Sequence, residues 1–263
     1  MDTSQPLFWT GLFPDKDFSF SFGVRPGDAQ AFFSGSGSGA SVIEQRQKAL
    51  QEAPSCHLFE APEAAAAVVE SVRWAGLKNG GCLQLALHWE PDFLILLPEP
   101  GGQFLFKAGA VCFPSSWRPE EKIGLPIHAI HAPVPTLNEK LGAQIDTFLT
   151  RLKPGTSWQR FNWGLSGSPK LNQHPRLNHQ PLIHPLNPRQ TWIRIEDQIL
   201  LRLPESGAIL FGIRLVNIEL TEIKHQPEAC SGLRRAIKTM PESIANYKGI
   251  TPVRADLLEY LIS

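Results

Sequence analysis

The chain has 263 residues, and its 25 Lys plus Arg balance 25 Asp plus Glu, so no net field draws in nucleic acid or an anionic membrane surface. Charged residues make up only 19% while 23 prolines punctuate the chain, which argues against a helical bundle and for a loop-rich globule with a sizeable core. Four scattered cysteines (Cys56, Cys82, Cys112, Cys230) form no C-x-x-C pair, which argues against a disulfide framework or a structural zinc site and suits a reducing cytosol. Neither a leader peptide nor an apolar run near the roughly 20 residues of a membrane span is legible, so a cytoplasmic protein is expected.

The first 33 residues are rich in aromatics: Phe8, Trp9, Phe13, Phe18, Phe20 and Phe22. The last three alternate with serine, the period of a short half-buried strand. The favoured alternative is that these rings clamp an N-terminal arm onto the core. Gly35 to Ala40 fits G-x-G-x-x-A, with Glu60 following about twenty residues later as in a dinucleotide fingerprint. Residues 29–33 make a poor parallel strand, however, and no second βαβ unit follows, so Gly/Ser alternation reads as a flexible loop. Ser41 with Glu44 forms a capping box for a helix to Glu52, and a second helix runs over residues 62–74 behind Pro62.

Short apolar runs at 83–87 and 93–97, then 104–106 and 109–113, read as strands around the turn at 98–102. Residues 117–135 form a proline-rich crossover. Leu137, Leu141, Ile145, Phe148, Leu149 and Leu152 then recur at helical spacing. Residues 157–163 read as a strand, followed by a long loop over 164–189 holding His174, His179 and His184. Those spacings match no metal motif, and the polar, proline-rich surroundings read as a solvated loop. The clearest strands are 191–203 and 208–216, joined by Pro204-Glu205-Ser206-Gly207 as an antiparallel hairpin. Helices over 227–239 and 252–262 close the chain. The element pattern is α+β: an antiparallel sheet with flanking helices and long Pro-rich loops, in a single domain spanning 1–263. Residues 1–80 form an arm with helices packed on a core of 81–263.

Two stretches carry chemistry. In the first, Pro114, Pro119, Pro126, Pro133 and Pro135 stiffen the segment that holds His131. His131, beside Ile127, Ile130 and Val134 on an extended segment, is a candidate axial ligand, with His128 as the fallback. A core or surface histidine bonded to a carbonyl is the alternative. In the second, Trp192, Arg194, Glu196 and Gln198 share one strand face. Burying that row without partners is costly, which implies a polar cavity or solvent.

Cys112-Phe113-Pro114-Ser115-x-Trp117, Glu121-Lys122-x-Gly124 and Ile130-His131-Ala132-Pro133-Val134-Pro135 resemble the haem-dependent oxidative N-demethylase alpha-subunit-like family. So do Asn138-Glu139-x-Leu141, Phe161-Asn162-Trp163-Gly164, Arg194-x-Glu196-x-Gln198 with Leu201-Arg202-Leu203-Pro204, and Ser206 to Arg214. Ile213-Arg214-Leu215-Val216 and the Gly/Ser run at 34–39 depart from its pattern. The resemblance implies a PAS-like fold holding haem b; the candidate ligand His131 would then hold the iron. It implies a monooxygenase-type subunit that demethylates a small secondary amine with O2 and electrons from a partner reductase in a hetero-oligomer.

Given haem, Arg194, Arg202 and Arg214 are candidate propionate cations, with solvation or ion pairing within the hairpin as the alternative. Phe211 and Trp163, with Phe161, are candidate apolar walls. Glu196 is the catalytic candidate as base or ammonium counter-ion, or else an ion-pair partner of Arg194 or Arg214. Gln198 is placed to orient water or substrate, and Arg214 to assist. The competing class is a non-catalytic haem-binding PAS-like sensor or carrier.

Overall fold

The structure, a computed structural model, describes residues 6–34 and 39–262; most of the Gly/Ser run falls outside them. Among the described residues, seven strands form one open, wholly antiparallel sheet: β1 (Arg25–Pro26), β2 (Leu58–Glu60), β3 (Asp92–Pro98), β4 (Phe104–Ala110), β5 (Ser157–Ser166), β6 (Trp192–Arg202) and β7 (Ile209–Glu219). Their spatial order is β1-β5-β6-β7-β3-β4-β2. No helix among the described residues is long and apolar enough to cross a membrane.

The sheet has two unlike faces, and the alternation along β6 creates them. Ile193, Ile195, Ile199 and Leu201 are all buried, each contributing about 1.5–3 kcal/mol. They point to a dry face covered at one end by the C-terminal helices, with Leu233, Ile237 and Leu257, and by Trp9 and Phe13. At the other end Phe32, Phe33 and the helix Ala65–Trp74 cover it. Trp192, Glu196, Gln198, Leu200 and Arg202 alternate with these and are only half-buried. The helix Leu137–Arg151 covers part of that second face through Leu141, Ile145 and Leu149, against Leu94, Leu96 and Ile209. The middle of this face is left partly open.

Local signals explain most helices. Pro227 occupies the first turn of Pro227–Thr239, where its missing N–H costs nothing. Gly232 in that helix is forced by close approach, because a Cβ there would lie 2.0 Å from the Phe13 carbonyl oxygen. Arg46, fully buried, donates to the carbonyls of Ala86, Trp89 and Glu90 and to Asp92 Oδ1, while Asp92 Oδ2 accepts from the Phe113 amide. That pair ties the helix Gly39–Glu52 to the sheet.

Several expectations are corrected. Residues 18–22 form no strand; Phe18 and Phe20 pack on the core and Phe22 meets Phe148 edge-on, the clamp arrangement. Ser41 lies inside its helix, not at the cap. The 83–87 run belongs to the helix Cys82–His88, with Cys82, Leu85 and Ala86 buried and Leu83 and Leu87 exposed; a run this short does not disclose its period. The strands over 104–106 and 109–113 are one strand ending at Ala110. Residues Ile127–His131 form a short helix behind Pro126, so His131 is not on extended backbone: Pro126 caps that helix and Pro133 follows it. A helix at Glu242–Tyr247 was not foreseen.

Candidate functional site

The open half of the second face is built by β5 and β6 in register, Asn162 opposite Glu196 and Arg160 opposite Gln198. Glu196 is held by three donors: Ser115 Oγ at 2.7 Å, Gln198 Nε2 at 2.9 Å and Asn162 Nδ2 at 3.2 Å. Ser115 in turn accepts from Arg194 Nε at 2.8 Å. The rest of the Arg194 guanidinium donates to the carbonyls of Phe113, Leu171 and Lys170. Arg194 therefore bolts the crossover and the 164–189 loop to the sheet. Beyond β5, burial pushes the Lys248 ammonium down to about 8, with the negative field of Glu196 opposing the shift. Its Nζ donates to the Trp163 carbonyl at 2.7 Å.

Within the field of Arg160, which shares this face, is His131. Burial, reinforced by the positive charges of Arg160 and His128, pushes its imidazole down to about 4, so the ring is neutral near pH 7. Its Nδ1 is buried and has no hydrogen-bond partner among the described residues; the same holds for Arg160 Nε. Burial also lowers the Arg160 guanidinium from its ordinary value, Glu196 acting the other way. Half-buried Trp117, Ile127, Ile130, Leu200, Phe211 and Ile213 supply apolar surface at the same face.

A neutral imidazole with an unpartnered nitrogen, a guanidinium whose Nε is unpartnered while Nη2 makes one 3.5 Å bond to the Ser21 carbonyl, and apolar walls are the groups a haem requires for its iron, its propionates and its ring. The residues present fit that group. His128 is not free to serve: Nε2 lies 2.8 Å from both Asp146 oxygens and Nδ1 3.3 Å from Asn138 Oδ1. The Asp146 carboxylate holds its imidazole above the ordinary histidine value.

The structure brings Glu196, Gln198, Phe211 and His131 toward one region and sends other candidates elsewhere. Arg214 pairs in register with Asp197, so it projects from the dry face, over the Phe32 ring and near Glu90; it does not reach Glu196. Trp163 lies opposite Ile195 and meets Phe13 edge-on on that same dry face. Arg202 shares the Glu196 face but sits six residues further along β6, about 20 Å away. It packs over Phe104 and donates to the Leu149 carbonyl. Arg194 is committed internally, as above.

Arg160, Asn162, Ser115 and Lys248 were missed. Arg160 and Asn162 were within reach, since the parity that groups Glu196 with Gln198 groups them too. Of the loop histidines, His174 departs from the expected solvated loop and His184 agrees with it. His174 is fully buried against Glu120, with Nε2 3.0 Å from the carboxylate. His179 pairs with Ser116, and exposed His184 with Asp256. The Glu196 row, the His131 helix and Arg160 all fall within residues 82–258, and that segment matches the model of the family haem-dependent oxidative N-demethylase, alpha subunit-like; with more than half of its length matched, the chain belongs to that family.

Proposed function

We propose that the chain is a haem-b-binding, monooxygenase-type subunit that carries out oxidative N-demethylation of a small secondary amine. It would use O2 and electrons from a partner reductase in a cytoplasmic hetero-oligomer, as the words "alpha subunit" in the family description suggest. Residues 1–263 would act as one domain, with 1–80 packed on a PAS-like core of 81–263. The observation that carries this reading is His131, a neutral imidazole with an unpartnered buried nitrogen, near the unpartnered buried Nε of Arg160. His131 would hold the iron, and Arg160 would replace Arg194, Arg202 and Arg214 as the propionate cation.

Haem, when bound, supplies the oxidising chemistry that a side chain lacks. The protein's own residues do the rest. Glu196 presents a carboxylate to an ammonium substrate and is the group placed to take a proton from its nitrogen. Asn162, Gln198 and Ser115 fix the carboxylate's orientation, and Phe211, Ile213 and Leu200 exclude water beside it.

The test is a visible spectrum of the protein with haemin, before and after dithionite, followed by formaldehyde release from secondary amines with an artificial electron donor. A Soret band that shifts on reduction and disappears in His131→Ala, with amine-dependent formaldehyde, is expected. Haem bound without turnover would favour the sensor or carrier reading. An unchanged spectrum in His131→Ala would remove the ligand assignment.

A further inference from the structure

Away from the Glu196 face, three segments distant in sequence bring together a second set of donors. Cys56 lies on the short helix Pro54–His57, Glu120 on the turn Pro119–Glu121, and His174 in the loop just before Pro175–Leu177. Cys56 Sγ, a Glu120 carboxylate oxygen and a His174 ring nitrogen lie within 4.8 Å of one another. His174 is wholly buried, while the other two are half-buried and leave one side toward solvent. All four cysteines are free thiols.

A hydrogen bond between His174 and Glu120 accounts for that pair alone. It does not account for His57. The His57 Nδ1 lies 2.9 Å from the Val111 carbonyl oxygen and must donate to it, which leaves Nε2 as a bare lone pair. His57 is fully buried, and that Nε2 has no partner among the described residues. The ring meets His174 edge to face, with centroids 5.5 Å apart. A buried acceptor without a donor is costly, and here its ring packs on His174 and is one residue along the chain from Cys56.

We propose that Cys56, Glu120 and His174 form a binding site for a divalent transition metal of zinc type, with water in the fourth position donating to His57 Nε2. A thiolate, an imidazole and a carboxylate are the donor set that Zn2+ accepts in tetrahedral geometry, and the bound water supplies the hydrogen His57 lacks. Binding releases the Cys56 thiol proton. The proton on His174 Nε2 moves to Nδ1, giving up the 3.2 Å bond from the Arg176 amide. Arg118, 3.5 Å from Glu120 and exposed, swings into solvent as the carboxylate turns to the ion.

The site joins the N-terminal helices, the crossover and the histidine loop. Its effect reaches the Glu196 face through one residue step: Gln173, next to His174, donates its amide to the Pro114 carbonyl and bridges Ser115, the residue that holds both Glu196 and Arg194.

The experiment uses the full chain without haemin, stripped with a chelator, dialysed, and titrated with Co2+ and then Zn2+. One metal per chain is expected, with a thiolate-to-cobalt absorption band that Zn2+ abolishes. Cys56→Ser should lose that band, and Glu120→Gln and His174→Asn should each weaken Zn2+ affinity more than about tenfold. His131→Ala should keep the band in full, which separates this site from the haem reading. Circular dichroism checks that each variant is folded, and the titration of the parent protein needs no variant. Absence of the cobalt band in the parent, or a band equally strong in Cys56→Ser, would overturn the proposal.

Discussion

Replacing Arg194 by lysine tests whether this guanidinium is a bolt of the fold or a ligand cation. Arg194 is 4% exposed and serves five acceptors: Ser115 Oγ at 2.8 Å, the Phe113 carbonyl at 2.9 Å, Leu171 at 2.8 Å, Lys170 at 3.3 Å and Asn217 Oδ1 at 3.5 Å. A lysine keeps the charge but gathers its donors on one nitrogen, so it cannot span acceptors that the planar fork separates. If two of the buried carbonyls lose their partner at about 1–3 kcal/mol each, and the ammonium keeps one strong bond, the net loss is about 2–4 kcal/mol. Against a total stability of about 5–15 kcal/mol the variant still folds. Urea unfolding of the haem-free protein, followed by far-UV circular dichroism, should then show a midpoint lowered by about 1 M, with m near 2–3 kcal/mol per M. A midpoint within about 0.2 M of the parent's, together with a drop in haem affinity, would refute the bolt and return Arg194 to the propionates.

Glu196→Gln keeps the shape and removes the charge. Formaldehyde release per haem should fall about 10²-fold or more while the haem spectrum is unchanged; undiminished turnover would exclude both the base and the counter-ion roles. His128→Asn probes the pair with Asp146, whose side chains are 34% and 46% exposed, so it contributes at most about 1 kcal/mol. Because the folded pKa of His128 is raised, its contribution is fully present below the unfolded value of about 6.5 and is lost as pH rises through the folded one. The thermal midpoint gap between parent and variant should therefore be wider at pH 5.5 than at pH 9, and a gap of constant size would count against the ion pair. Gly232→Ala should destabilise by about 3 kcal/mol or more, the upper end for overpacking, since its Cβ meets a backbone oxygen at 2.0 Å. Chemical denaturation reads this directly, and a change below about 1 kcal/mol would mean that the two segments part easily.

What was legible in the sequence follows from the range of the signal. The β6–β7 hairpin carries its own alternation and its own turn, and the helix Pro227–Thr239 announces its start with a proline. Arg214 was misplaced because one strand's parity was read without the register to its neighbour. The hairpin pairs Arg214 with Asp197, and only that pairing shows that it leaves by the dry face. His174 looked solvated because its partner Glu120 lies 54 positions away, and no local window contains both. Arg194 presents the same difficulty: a charged side chain is buried here because three carbonyls from two remote loops converge on it.

The order β1-β5-β6-β7-β3-β4-β2 places both outermost strands in the first 60 residues, while the family match begins at residue 82. The N-terminal segment thus closes both flanks of the matched module. During synthesis β2 waits for β4 about fifty residues later, and Arg25 waits for Gln159, so both edge strands emerge well before the strands that seat them. Such non-local pairing is slow. A fragment starting at residue 82 would keep the residues of the Glu196 face and yet present two raw strand edges to its neighbours, the condition for edge-to-edge aggregation.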